Sequence, residues 1–358
     1  MVIVKAKNLE QEAGRLLMET LREVPFLQRT RIRHEVKIGR AEADMLITFQ
    51  VGRKERRLIC EVKTNGQPRV ARQACLNLRA LASGNDSDYP VFVAPYISED
   101  AAAICKEYGV GYFDLSGNCL LEFDHVYIRR QSYPNPSIRR RDLRSLYSPK
   151  AERILRVLVT AGPRPWKTQE LAEEAKVSLG QVANIKKLLG DREWIDIDEK
   201  GLTMRSFENA ISPLLNEWTS YYQFDRNTGL DLYSLKSVPE IEAGLTETAK
   251  KLSLMVGFTA FSGASRLAPA VRYQKATAYV LGDLELVAEV AGLKPVGSGA
   301  NATLLRPYDE GLLYGLHEID QAPIVSPVQL YLDLRQIKGR GEEAADALLE
   351  EVIRPQWR

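Results

Sequence analysis

Two acidic residues and a lysine have the spacing of a small catalytic or metal-binding patch. Asp44 precedes the apolar run 45–51, and Glu61-Val62-Lys63 closes the next apolar run, 58–63. If these runs are strands joined by the charged turn 52–57, Asp44 lies opposite the Glu61 end of an antiparallel hairpin. Because side chains alternate along a strand, Glu61 and Lys63 share one face. The sequence therefore predicts that Asp44, Glu61 and Lys63 lie close together.

The chemistry of this patch suits a hard divalent cation. Two carboxylates without Cys or His are typical ligands of Mg²⁺, which keeps several waters and binds phosphate oxygens. Lys63 could orient an attacking water, help to deprotonate it or stabilise charge on a phosphate. We predict Asp44 and Glu61 as metal ligands. The alternative interpretation is a cross-strand ion pair on a solvated face.

The order of these residues resembles the PD-(D/E)xK nuclease superfamily. Ala43-Asp44 and Glu61-Val62-Lys63 carry the resemblance, with Ala in place of the usual Pro. The resemblance adds Glu12, on the preceding helix, and Gln73, on the following helix, as assisting catalytic residues. It implies a restriction-endonuclease-like mixed sheet with flanking helices over residues 1–135. The expected elements are a helix at 8–24, a strand at 31–38, the hairpin, a helix at 67–82, a strand at 90–97, a helix at 99–108 and strands within 111–128.

Length and composition set the broad class of protein. A chain of 358 residues can form two or three domains. The start, Met1 to Lys5, lacks the apolar stretch of a signal peptide, and no run approaches the length of a membrane span, so we expect a cytoplasmic protein. The four cysteines and three histidines lack zinc-site spacing, and we expect neither a disulfide framework nor structural zinc. Cys60 and Cys75 are interpreted as core residues.

Charge is distributed unevenly along the chain. Residues 1–150 contain 25 basic and 18 acidic side chains, 151–205 contain 10 and 9, and 206–358 contain 14 and 20. A polyanion would therefore bind the first two thirds of the chain. Residues 136–147 form a basic linker that includes Arg139, Arg140 and Arg141. These arginines are interpreted either as a solvated linker or as phosphate contacts.

Residues 148–205 have the pattern of a winged helix-turn-helix. Ser148-Pro149 begins a helix, a second follows Thr168, and a third runs to about Leu189. Residues 194–204 then read as a two-stranded wing. With Val182, Ile185 and Leu189 buried, the outward residues of the third helix, and our candidates for DNA contact, are Gln181, Asn184, Lys186 and Lys187. Amides can read adenine edges, and lysines contact phosphate or guanine. The alternative is a winged helix that contacts protein.

Residues 206–358 are expected to form an acidic, mixed α/β domain. The pattern predicts helices at 207–222, 238–251, 283–291, 326–335 and 341–353. Strands are predicted near 230–236 and 276–281, with a hairpin near 294–305. The glycine-rich stretch 296–301 lacks the lysine of a phosphate loop and is interpreted as a turn.

Six short motifs, in this order, resemble the AbiEi-type antitoxins of type IV toxin-antitoxin systems. They are Cys60-Glu61-Val62-Lys63, Phe113 to Asn118, Ala175 to Val182, Leu215 to Tyr221, Phe261 to Ser265 and Ser326 to Leu334. The resemblance implies a transcriptional regulator that binds double-stranded DNA at its own promoter. It also implies a partner, a nucleotidyltransferase-like toxin encoded beside it.

Our first hypothesis is therefore a DNA-binding regulator whose acidic domain binds a protein partner or the second subunit of a homodimer. The alternative is a Mg²⁺-dependent DNA endonuclease directed to its sites by the winged helix. A third possibility is an N-terminal domain that binds nucleic acid without cutting it.

Overall fold

The structure is a computed structural model that describes residues 2–39, 41–133, 146–270 and 272–358, with side chains from residue 8 onward. The chain divides into two compact units. The N-terminal unit comprises Met1–Arg141 with Gly190–Glu193, and the C-terminal unit comprises Asp142–Leu189 and Trp194–Arg358. Within the described ranges, every helix is too short or too polar to cross a lipid bilayer.

The N-terminal unit is built on a seven-stranded mixed sheet, with its strands in chain order. Strands β1, β2 and β3 are antiparallel, β3, β4 and β5 are parallel, and β5, β6 and β7 are antiparallel. The elements are α1 (Val2–Arg22), β1 (Leu27–Ile38), β2 (Ala41–Val51), β3 (Lys54–Val62), α2 (Pro68–Ala82), β4 (Asp88–Ala94), α3 (Glu99–Glu107), β5 (Gly111–Asp114), β6 (Cys119–Phe123) and β7 (Val126–Arg130). This is the predicted order of elements, and the α/β class is confirmed.

Helices cover both faces of this sheet. Leu58 and Cys60 pack with α1 residues such as Leu17 on one face. Ile59, which points the other way, packs with Ala74 of α2 on the opposite face. β3 is apolar on both faces of the sheet, as expected of a strand that is covered by helices on both faces.

The predicted turn 52–57 was too long. Only Gly52 and Arg53 lie between β2 and β3, and the register runs from Val51↔Lys54 to Met45↔Cys60. Arg56 and Arg57 can occupy a strand because each has an acidic partner. Arg56 binds Asp124, and Arg57 binds Asp88.

The C-terminal unit begins with three helices and a hairpin, in the predicted order. They are α4 (Pro149–Thr160), α5 (Thr168–Glu174), α6 (Leu179–Asp191), β8 (Ile195–Asp198) and β9 (Gly201–Met204). Trp166 adds a further bridge to β9, with N–O distances to Leu202 of 2.7 and 2.9 Å. Gly201 makes this approach possible: its φ is +135°, and a Cβ there would lie 2.2 Å from the Trp166 carbonyl oxygen. The hairpin is thus anchored by a backbone contact that only glycine permits.

A second seven-stranded sheet follows, in the order β13-β10-β14-β12-β11-β16-β15. The helical turn Phe207–Ile211 leads into α7 (Ser212–Tyr221), and the remaining elements are β10 (Thr228–Tyr233), α8 (Val238–Leu252), β11 (Met255–Phe258), α9 (Ala260–Ala264), β12 (Ala276–Leu281), α10 (Leu284–Ala291), β13 (Lys294–Pro295), β14 (Ala302–Arg306), β15 (His317–Ile319), β16 (Ala322–Ile324), α11 (Pro327–Arg335) and α12 (Arg340–Leu348).

The hairpin predicted near 294–305 was wrong. Strands β13 and β14 do not pair with each other, because β10 lies between them and pairs with both. Asn301, in the glycine-rich turn, hydrogen-bonds the backbone N and O of Ser234 at 3.0 and 2.8 Å. This contact fixes the turn against the end of β10. The stretch therefore serves as a connection, as predicted.

The boundary predicted at residue 205 does not divide the structure. Residues from α4 to β9 share one apolar core with α7, α11 and α12. Buried polar contacts cross the same region: Trp218 Nε1 donates to Glu152 at 3.2 Å, and Arg156 Nε donates to Gln329 at 2.9 Å. Because these groups are removed from water, they depend on each other for hydrogen bonds.

Candidate functional site

Pairing of β2 with β3 brings Asp44 to the end of β3. The register continues from Met45↔Cys60 toward Asp44 and Glu61. The Asp44 side chain accepts a hydrogen bond from the Val62 backbone N–H at 2.6 Å. This contact fixes Asp44 beside the Glu61-Val62-Lys63 segment. The sequence prediction that these residues lie together is in agreement with this geometry.

Lys63 lies between the two carboxylates. Its Nζ is 2.8 Å from Glu61 Oε1 and 4.0 Å from Asp44 Oδ2. Its own backbone N–H donates to Val93 O at 2.8 Å, so the end of β3 is held by β4. The Glu61 side chain is only 11% exposed, whereas those of Asp44 and Lys63 are 34% and 39% exposed. The patch thus combines one nearly buried carboxylate, Glu61, with two side chains, Asp44 and Lys63, that solvent reaches.

Polar side chains of helix α2 lie next to this patch. Asn77 Nδ2 lies 3.4 Å from Glu61 Oε1, and Gln73 Nε2 donates to Asn77 Oδ1 at 3.2 Å. Gln73, a predicted site residue, therefore reaches Glu61 through Asn77. The sequence reasoning missed Asn77, although it follows Gln73 by one helical turn on the same face.

The start of α2 is fixed by a close backbone approach. A Cβ on Gly66 would lie 2.0 Å from Tyr96 O, and Gly66 O accepts from Ser98 N at 3.2 Å. Any other residue would push the β3–α2 connection away from the end of β4. Gly66 therefore sets where α2 begins relative to Lys63.

These residues line a cleft of about 720 Å³. Among the described residues, its charged lining consists of four carboxylates and two cations: Glu42, Asp44, Glu61, Asp88, Arg57 and Lys63. Arg57 is already paired with Asp88, at 2.6 Å between Nη2 and Oδ2. Carboxylates therefore outnumber cations among the described residues of the cleft, which favours a bound cation.

The carboxylates of Asp44 and Glu61 suit Mg²⁺ that is held only partly by protein groups. Within the described residues, no three His, Cys, Asp or Glu side chains are grouped as a metal-binding set. Mg²⁺ is commonly held by one or two carboxylates, with water and substrate phosphate completing the coordination. Asp44 and Glu61 supply two carboxylates of this kind. Cys60, directly behind them, is not suited to bind metal, because burial and the nearby Asp44 charge raise the pKa of its thiol.

Glu12 is not brought into this cleft. It is exposed on α1, and α1 packs on the face of the sheet opposite to α2. Its predicted assisting role is not supported by this arrangement, because it does not line the cleft. Helical spacing identified the margin of an apolar stripe, but not which face of the sheet the helix covers.

The four cysteines are free and buried, in agreement with the interpretation of Cys60 and Cys75 as core residues. The sulfur atoms of Cys75 and Cys105 lie 3.7 Å apart, between α2 and α3.

The second set of candidate residues lies on α6. Val182, Ile185 and Leu189 are buried, as predicted, and Asn184 and Lys187 are exposed. Gln181 and Lys186 are half-buried. The Ser178 hydroxyl accepts from Gln181 N at 3.2 Å and so caps the start of this helix. Arg139, Arg140 and Arg141, the predicted phosphate contacts, lie outside the described residues.

The motif near the C-terminus builds a buried polar cluster. Asp333 is fully buried and accepts hydrogen bonds from Tyr222, Tyr279, Thr259 and Gln329. Burial raises the pKa of Asp333 to about 6. Gln329 and Asp333 both belong to the stretch Ser326 to Leu334, one of the six motifs that resemble AbiEi antitoxins.

Residues 209–354 match the family described as "Transcriptional regulator, AbiEi antitoxin, Type IV TA system". The resemblance to AbiEi antitoxins is thereby confirmed for this segment. It includes the last three motifs and the buried cluster around Asp333. The Asp44 cleft and α6 precede the matched segment.

Two solved structures are also similar to this chain. One is a crystal structure of a repair endonuclease from Pyrococcus abyssi, with 18% identity, a TM-score of 0.24 and coverage of 30% of this chain and 46% of the other. The second is EndoMS in its apo form, with 17% identity, a TM-score of 0.22 and coverage of 30% and 45%. The chain thus spans less than half the length of either endonuclease chain. A search of curated proteins gave no match.

Proposed function

We propose that this protein is a DNA-binding transcriptional regulator of the antitoxin type, which contacts DNA through the exposed face of α6. The observation that carries the regulator class is the family match over residues 209–354, whereas DNA contact through α6, which precedes that segment, is inferred from the exposure of its residues. The preceding helices and hairpin supply the DNA-contacting part, as a winged helix-turn-helix. Asn184 and Lys187 are exposed on a helix whose other face is buried, which is the arrangement of a recognition helix.

The same proposal assigns a protein partner to the acidic C-terminal region. The family description names a type IV toxin-antitoxin system. We infer that the region binds a nucleotidyltransferase-like toxin encoded beside this protein, or a second copy of the chain. Growth assays with the neighbouring gene, with and without this protein, test the antitoxin role. Unchanged toxicity in the presence of the folded protein would contradict it.

DNA binding is tested with the duplex upstream of its own gene. The double variant Asn184→Ala/Lys187→Gln should bind more weakly than the wild type. Lys251→Gln is the matched control, because it removes one exposed cation from α8 in the same unit. Equal losses in both variants would show only a general charge effect and would contradict recognition by α6.

The second candidate function is metal-dependent hydrolysis of a DNA phosphodiester bond. It is favoured by the cleft geometry, in which Lys63 Nζ lies 2.8 Å from Glu61 and 4.0 Å from Asp44. A cross-strand ion pair would need one carboxylate, whereas this cleft presents an excess of them beside solvent. Bound Mg²⁺ would supply a polarising charge for phosphate and water. Asp44 and Glu61 would hold it, and Lys63 would orient the water or neutralise phosphate charge.

Cleavage is tested on supercoiled and linear DNA with Mg²⁺ or Mn²⁺. Activity that requires the metal and is lost in both Asp44→Ala and Lys63→Ala, at matched folding, would establish the enzyme. Binding without cleavage under every metal tried would leave the cleft as a binding surface, and the regulator proposal would stand.

A further inference from the structure

Strand β1 presents a row of cations along one edge of the N-terminal sheet. Its sequence, Leu27 to Ile38, contains Arg29, Arg31, Arg33 and Lys37 but only one acid, Glu35. β1 is the first strand in the sheet order, and among the strands of the described residues it pairs with β2 alone. All four cations are exposed. The edge of the sheet is therefore strongly basic.

Two of these arginines lie on the face that contains the cleft. Arg33 pairs directly with Leu46, and Arg31 pairs with Thr48. Directly opposed residues of an antiparallel pair share a face. Leu46 packs into the core beneath α2, whereas Ile32, between the arginines, packs on the α1 side. Arg31 and Arg33 thus project on the same side as Glu61.

The strand leads into the cleft. Its last residue, Ile38, and the following Gly39 line the cleft together with Asp44. The register Arg33–Leu46–Ile59 crosses two strand spacings, which is roughly 10 Å. Glu61 lies two residues beyond Ile59, a further displacement of about 7 Å. Arg33 is therefore near enough to contact a polymer that occupies the cleft, and Arg31, two residues farther from Glu61 along β1, is placed to contact the part of the polymer that extends beyond it.

The charges of Arg31 and Arg33 are not neutralised by neighbours. No ion pair in the described part of the chain involves either side chain. Arg56 and Arg57, two strands away, are bound to Asp124 and Asp88. An exposed guanidinium without a carboxylate partner keeps its planar set of donors available, and that set matches a phosphate group.

We propose that Arg31 and Arg33 bind phosphates of a DNA backbone that runs along β1 into the Asp44 cleft. Carboxylates outnumber cations among the described residues of the cleft, so a nearby cationic surface would help a phosphodiester to approach it. The inference does not require α6 to bind DNA, and it does not require the cleft to cut. The competing explanation is that edge charges serve only to prevent sheet-to-sheet association, as they do on many edge strands.

The experiment compares the full-length double variant Arg31→Gln/Arg33→Gln with a matched control, Arg53→Gln/Lys54→Gln. The control also removes two exposed cations, but at the β2–β3 turn, at the far end of the hairpin from Asp44. The probe is a duplex of arbitrary sequence, with Kd measured across about 50 to 200 mM salt. Both variants are also made in the Asn184→Ala/Lys187→Gln background, so that contacts from α6 are removed.

Each phosphate contact adds about 0.9 to the slope of log Kd against log salt concentration. Arg31→Gln/Arg33→Gln should therefore lower this slope by about 1.8 in both backgrounds, whereas the control should leave it unchanged. Arg31→Lys/Arg33→Lys, which retains both charges, should keep most of the slope.

An unchanged slope in the folded Gln variant would overturn the inference, even if the α6 variant had lost affinity. Conversely, a reduced slope in Arg31→Gln/Arg33→Gln, together with unchanged binding by Asn184→Ala/Lys187→Gln, would support phosphate contacts from β1 and contradict recognition by α6. Self-association of the Gln variant in sedimentation, with an unchanged slope, would assign the arginines to edge protection and would also overturn the inference.

Discussion

Asp44→Ala removes the acceptor of the Val62 amide, which donates to Asp44 Oδ2 at 2.6 Å. Hydrogen bonds to charged groups contribute about 1.5–3 kcal/mol. The Asp44 side chain is 34% exposed, so water can partly replace it, and the lower end of this range applies. Its ion pair with Lys63, at 4.0 Å and with the lysine 39% exposed, adds less than about 1 kcal/mol. We expect the N-terminal unit to lose about 2 kcal/mol of unfolding free energy.

The assay must report the N-terminal unit alone. All four tryptophans follow residue 165, so tryptophan fluorescence reports the other unit. Amide hydrogen exchange at Val62, followed across a urea series, is therefore the measurement. Asp44→Asn keeps an acceptor but loses the charge, and should cost about half as much.

Glu42→Ala is the matched control for stability, because it removes an exposed carboxylate from the same strand, β2. Among the described residues, no hydrogen bond or ion pair involves the Glu42 side chain, so the change should be within about 0.5 kcal/mol. If Asp44→Ala leaves the exchange of Val62 unchanged, the structural argument fails. If metal-dependent cleavage persists in the folded Asp44→Ala variant, the assignment of Asp44 as a metal ligand is refuted.

Three further outcomes are expected. Lys187→Gln should lower the salt slope of DNA binding by about 0.9, measured by fluorescence anisotropy, because one phosphate contact is lost. Burial raises the pKa of Asp333 to about 6, above its ordinary value near 3.9, so the folded state binds a proton that the unfolded state has lost. Stability of the C-terminal unit should fall by about 3 kcal/mol as pH rises from about 4 to 6, and Asp333→Asn should flatten that change in urea unfolding followed by tryptophan fluorescence. Gly201→Ala should cost about 2 kcal/mol or more in the same assay, because a Cβ would meet the Trp166 backbone.

Each of these outcomes has a control. An equal change of slope in Lys251→Gln would remove the case for a specific Lys187 contact. Parallel pH profiles for the wild type and Asp333→Asn would show that this carboxyl does not titrate in the window. A Cβ added to Gly244 of α8 would meet no other part of the described chain within 4 Å, so Gly244→Ala should be neutral or stabilising, unlike Gly201→Ala.

Local sequence signals were sufficient for the hairpin at the centre of the cleft. Alternation along β3 predicted that Glu61 and Lys63 share one face, and the same alternation places Ile59 and Leu58 on opposite faces of the sheet. A short turn also limits the register to few choices. The error in turn length arose because charged residues 54–57 look like a loop until their acidic partners on other elements are known. Those partners, Asp88 and Asp124, are distant in sequence.

Features that depend on how the elements pack in three dimensions were harder to predict from the sequence. Asn77 reaches Glu61 because α2 has a particular rotation over β3, and Glu12 stays outside the cleft because α1 covers the other face. In the second sheet, β11, β15 and β16 have only three or four residues each. Strands this short show little periodicity in their sequence. The insertion of β10 between β13 and β14 is a long-range pairing, which a local sequence pattern does not predict.

The burial of Glu152 and Arg156 against Trp218 and Gln329 also bears on how such proteins can diversify. A DNA-contacting module connected by a flexible linker can be exchanged between genes by recombination at the linker. Here, a crossover near residue 205 would separate charged groups from the partners that bind them inside the core. If α6 contacts DNA as we propose, new DNA specificity should therefore arise by point substitution on its exposed face. Helices α4 to α6 should then be inherited together with the C-terminal sheet.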